Sequence, residues 1–70
     1  MTMRESIFVC RFTSRHDRRT AHVRAWDERE AEQVFRDELA GEDVHEPGTI
    51  EVVGGRARIQ APFEPASAAR

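Results

Sequence analysis

Seventy residues with a formal net charge of −2 make one small domain, able to bury only about 60% of its unfolded surface and with little depth for an active-site cleft. One cysteine, Cys10, excludes an intrachain disulfide framework, and the opening MTMRES lacks the apolar run of a signal peptide or membrane span, so a reducing cytoplasm is the expected setting. All eleven basic residues are arginine, while lysine, asparagine and tyrosine are absent, a bias that GC-rich coding produces without any function.

The charge is unevenly placed. Residues 1–26 hold six arginines and two acids, residues 27–46 two arginines and nine acids, and residues 47–70 three arginines and two acids. The expected molecule is polarised, with an acidic helix and following loop and a basic strand region, a property that bears on partners and association rates.

In chain order, residues 1–6 read as a flexible lead. Ile7 to Thr13, IFVCRFT, is rich in β-formers and reads as strand one. Its alternation sets Phe8, Cys10 and Phe12 on one face, and bulk assigns that face inward because the alternative buries Arg11. Ser14 to Arg19 reads as a polar hairpin loop, and Thr20 to Ala25 as strand two with Ala21, Val23 and Ala25 inward. Trp26 stands where a hydrophobic staple would reach Ala31.

Asp27 to Gly41, DEREAEQVFRDELAG, predicts one amphipathic helix. Asp27 is the expected N-cap, Glu30 completes a capping box, and Ala31, Val34, Phe35 and Leu39 form an apolar stripe. Gly41 is the expected left-handed C-cap, and Glu32 and Arg36 are spaced as an i, i+4 ion pair. Glu42 to Gly48 reads as an acidic turn, with Val44 tucked beneath.

Thr49 to Val53 and Arg56 to Ala61 read as strands three and four, joined by Gly54–Gly55 as a two-residue hairpin loop. That loop pairs Ile50 with Ile59, Val52 with Ala57, Val53 with Arg56 and Glu51 with Arg58. Pro62 to Arg70 reads as a flexible tail whose start Phe63 anchors. The order is ββαββ, a single α+β domain over residues 7–61, and the economical fold is a four-stranded antiparallel sheet with the helix packed on one face. Strand order stays open.

Two charged surfaces are candidate sites. The acidic one includes Asp27, Glu28, Glu42 and Glu46, with Glu30, Asp37, Glu38 and Asp43 as the expected partner-binding residues. It would meet a larger protein or ribonucleoprotein through electrostatic complementarity. The basic one is the outer sheet face with Arg11, Arg24, Arg56 and Arg58, which would track nucleic-acid phosphates; it lacks the aromatic platforms that bases stack on. A homodimer through an open sheet edge is a further option.

No catalytic motif stands out. Cys10, His16, His22 and His45 lie in separate elements, without the spacing of a metal site, and no nucleophile has an adjacent base, so neither a metal, a cofactor nor an enzymatic activity is expected. Cys10 reads as a small buried apolar residue.

The layout of IFVCRF, TAHVRAW, the helix containing REAEQVF and TIEVVGGRARIQ resembles small phage and mobile-element proteins of the anti-CRISPR kind. That resemblance implies a non-enzymatic inhibitor that occupies a surface of a larger effector. A second likeness, to small archaeal ribosomal proteins, rests on Ala25 and Ala31, and the acidic charge argues against it.

Overall fold

The computed structural model describes residues 4–65; Met1 to Met3 and Ala66 to Arg70, parts of the two expected flexible termini, lie outside the described residues. The elements run β1 (Ser6–Ser14), β2 (Arg18–Ala25), α1 (Glu28–Gly41), β3 (Gly48–Gly54) and β4 (Ala57–Phe63). The strands form one antiparallel sheet in the order β2-β1-β3-β4, so the fold is the expected ββαββ, α+β. The central strands β1 and β3 carry Cys10, Phe12, Ile50 and Val52, all fully buried.

Side-chain parity holds along the sheet. Phe8, Cys10, Phe12, Val23, Ala25, Ile50 and Val52 are buried on one face, where Ala31, Phe35 and Leu39 of the helix cover them. Cys10 Sγ lies 3.9 Å from the carbonyl oxygen of Ala31, which sets the first turns of α1 over β1. Val44 is buried below the loop after the helix.

The N-cap of α1 forms as expected, and its reciprocal bond is displaced by one residue. The Asp27 carboxylate accepts from the backbone N–H of Glu30 at 2.8 Å. Glu30 reaches back one residue beyond the usual capping box and accepts from the Trp26 N–H at 2.7 Å. Arg36 donates to Glu32 at 2.7 Å, the expected pair one turn apart.

Gly41 does not take a left-handed conformation; it is the last helical residue, and the helix closes through Glu42 N–H to Leu39 C=O at 3.2 Å. Val34 is 38% exposed, because the buried stripe is only as wide as Ala31, Phe35 and Leu39 and Val34 falls on its margin. The β3–β4 loop is Gly55–Arg56, which pairs Gly54 with Ala57, Val52 with Ile59 and Glu51 with Gln60. Gly55 alone has positive φ, at 56°, the pattern of a II′ turn with glycine first. The displacement along β4 is two residues, an even number, so the inward set Ile50, Val52, Ala57 and Ile59 is unchanged.

The strand ends also differ from those the sequence predicts. β1 begins at Ser6, and β4 runs past Ala61 to Phe63. Pro62 is tolerated because β4 is an edge strand. Beyond it Phe63 is buried and meets Phe12 edge to face, with ring centroids 5.4 Å apart, and Pro65 is buried as well. Phe63 is therefore core rather than the start of a tail.

Candidate protein-interaction surfaces

The helix layer carries the acidic surface. Its four expected residues are all exposed, but they do different work. Glu30 caps the helix, as above. Asp37 accepts from the Gln33 amide at 3.0 Å, and Asp43 stands 3.4 Å from His45. Asp37, Glu38 and Asp43 have no arginine within ion-pair distance among the described residues. Other acids of the segment are engaged internally: Glu32 by Arg36, and Glu42 by Arg19, which also holds Asp17 at 3.0 Å.

Glu46 is engaged in a clasp. Its carboxylate accepts from the Ser14 hydroxyl at 2.8 Å and the His16 backbone N–H at 3.2 Å, and lies 2.6 Å from His16 Nδ1. Ser14 in turn accepts from the Asp17 N–H at 3.1 Å, so the β1–β2 loop is shorter and better tied than its sequence suggested. Ser14 and Glu46 are 32 positions apart, and no local pattern announces their meeting.

The His16 ring, and then the Ser14 hydroxyl, hold the Glu46 carboxyl below its ordinary value of 4.5. A carboxyl whose value is lowered by folding stabilises the fold above its unfolded value, and that contribution disappears as pH falls through the lowered folded value. Glu46→Gln is therefore expected to cost stability at neutral pH and to cost nothing well below pH 4.5. Urea midpoints of both proteins across that range check it; a difference that persists in acid would assign the clasp to packing instead of charge.

The outer face of the sheet has nothing packed on it among the described residues. Its rows follow from register: His22, Val9, Val53 and Arg58 in one, and Thr20, Arg11, Glu51 and Gln60 in the next. Arg11 and Arg24 lie on this face as expected. Arg58 does too, but opposite Val53, from where it reaches Glu51 diagonally with Nε at 2.9 Å. Arg11 approaches the same carboxylate at 3.8 Å. Arg58 chiefly, with Arg11 assisting, holds the Glu51 carboxyl below its ordinary range. Arg56 sits in the β3–β4 turn and so leaves the basic face, a correction that follows from the register. The face thus has a neutralised centre, with Arg18 and Arg24 on β2 as its cations without an acidic partner among the described residues.

Desolvation first, and the Glu38 charge second, push the Cys10 thiol up to about 11, which favours the thiol form at neutral pH in a side chain that is fully buried. Among the described residues no group of three or more His, Cys, Asp or Glu side chains is placed to hold a metal ion, and no helix is long and apolar enough to cross a membrane. An open depression of about 540 Å³ lies between the end of α1 and β4, lined by Arg36, Ala40, Val44, Phe63 and Pro65. No protein-family model, curated protein sequence or solved structure matches the chain.

Proposed function

We propose that the protein is a non-enzymatic interaction module or inhibitor that engages a larger cytoplasmic protein or ribonucleoprotein through the acidic surface of α1 and the loop after it. The observation that carries this reading is the presence of Asp37, Glu38 and Asp43, exposed and without an arginine partner among the described residues, beside acids that internal contacts neutralise. Two of the three stand on a helix anchored by a buried stripe, so their spacing is fixed before binding. Fixed carboxylates of one sign steer a basic partner surface and select against an acidic one. The resemblance to anti-CRISPR proteins supplies a partner class, the basic nucleic-acid-handling surface of an effector complex.

The rival is nucleic-acid binding by the outer sheet face, favoured by Arg11, Arg18, Arg24 and Arg58 lying together there. Glu51 at the centre of that face weighs against it. Capture of a partner from lysate, run beside a salt series with short RNA and DNA, separates the two. Asp37→Arg with Glu38→Arg is expected to abolish protein capture, and Arg24→Ala with Arg58→Ala to leave it intact. Nucleic-acid binding that falls steeply with salt and disappears in the arginine variant would overturn the proposal.

A further inference from the structure

The two edges of the sheet are not alike. At β4, Pro62 removes a backbone donor, and its carbonyl oxygen already accepts from Arg36 Nη2 at 2.7 Å, so that edge is blunted and bridged to the helix. β2 is the other edge. It runs eight residues from Arg18 to Ala25 without a proline, and no element pairs with its outer side among the described residues. A run of that kind is a template for a further strand.

Each side of β2 says what that strand must carry. On the outer face the β2 side chains are Arg18, Thr20, His22 and Arg24, all exposed, and Arg18 and Arg24 have no carboxylate within ion-pair distance among the described residues. On the core face lies a hollow of about 120 Å³ between β2 and α1, floored by Ala21, Phe35 and Leu39 and rimmed by Arg19, Glu38 and Glu42. Val34, one turn before Glu38 on α1, is 38% exposed, and Trp26, 49% exposed, follows the last residue of the strand. An added strand therefore meets cations on one face and an apolar floor on the other.

We infer that the β2 edge is a docking site for an extended peptide that alternates acidic and aliphatic residues, added as a fifth strand. Its backbone pairs with β2, its acids face Arg18 and Arg24, and an aliphatic side chain enters the hollow over Ala21. A second copy of the chain does not fit. Two-fold pairing of β2 with both cores on one side brings Arg18 and Arg24 of each chain onto one surface with no carboxylate between them, and like charges across strands repel. Glu38 borders both this surface and the acidic patch, whereas Asp37 and Asp43 do not line the hollow, so variants at Arg18 and Arg24 distinguish this docking from the acidic-helix reading.

The test uses the full chain, isotope-labelled for amide NMR, and a seven-residue peptide alternating glutamate and valine. The expected result is saturable shifts of the β2 amides, from Arg18 to Ala25, at peptide concentrations up to about 1 mM. Arg18→Glu with Arg24→Glu, both exposed positions, is expected to weaken binding by roughly tenfold or more and to create binding of the lysine–valine peptide. On the unmodified protein, N-methylation of alternate peptide residues is expected to abolish binding, because it removes the backbone donors of the new strand. Equal binding of a block-scrambled peptide, shifts centred on β4 or the outer sheet centre, no binding by 1 mM, or a concentration-dependent dimer through β2 would each overturn the inference.

Discussion

Phe12→Ala is expected to remove about half or more of the domain's stability. Phe12 is fully buried in the central strand β1, pairs with Ile50 on β3, and meets Phe63 edge to face. Truncating such a ring costs about 3–5 kcal/mol, the lost transfer of the side chain plus the cavity that remains. A chain of this size has roughly 4–10 kcal/mol of total stability at ordinary values per residue. The loss is worse here because the cavity adjoins a glycine: Gly48 sits under the Phe12 ring and offers no side chain to collapse into the space. Phe63 also loses its partner, and with it the reason β4 continues past Pro62. Urea unfolding followed by circular dichroism checks the result, and amide exchange should show β4 released first. A variant with the wild-type urea midpoint would mean that the ring is not central to the core.

What was legible in the chain was what nearby residues decide. Asp27 and Glu30 are three apart, so the cap is written locally, and it forms. The inward faces of all four strands follow from alternation, which is why a wrong hairpin register did not disturb them. Gly54–Gly55 offered two adjacent places for a two-residue loop. The facing charges of Glu51 and Arg58 argued for the wrong one, yet the same ion pair forms diagonally in the observed register. A contact available to both arrangements cannot choose between them. Gly54 serves the sheet and Gly55 the turn: Gly54 lies inward under Phe8, where a Cβ would overlap the ring and come within 2.7 Å of its Cε2. That constraint joins residues from different hairpins and has no local signature.

The same distinction governs the candidate surfaces. The excess of acids in residues 27–46 was visible as composition. Which of them remain available was not, because Arg19 reaches Glu42 and His16 reaches Glu46 from the other end of the chain. Those contacts convert a uniformly acidic segment into a smaller patch at Asp37, Glu38 and Asp43. Likewise Arg11 was expected with Arg24, Arg56 and Arg58 as a partner-binding cation, and the sheet brings it to the Glu51 carboxylate that Arg58 engages.

Gly48→Ala and Gly41→Ala are expected to act in opposite directions, although each adds one methyl group to a glycine of negative or extended φ. Around Gly41 nothing lies within 4 Å of a new Cβ, and the residue is the last of the helix. Alanine there restricts the unfolded chain at no steric cost and should stabilise by about 0.4–1 kcal/mol. Gly48 faces the core at the start of β3, paired with Ser14 on one side and Phe63 on the other. Its Cβ would collide with the Thr13 carbonyl oxygen and lie 2.7 Å from Phe12 Cε1. The carbonyl belongs to the backbone of the neighbouring strand, so relief requires β1 and β3 to part where the aromatic pair rests. Overpacking of this kind costs about 1–3 kcal/mol, more than the entropy gain returns. With about 4–8 °C of melting temperature per kcal/mol in a domain of this size, the two variants should melt on opposite sides of the wild type. A Gly48→Ala protein that melts at or above the wild-type temperature would show that Phe12 and Phe63 repack freely, and would also lower the loss expected for Phe12→Ala.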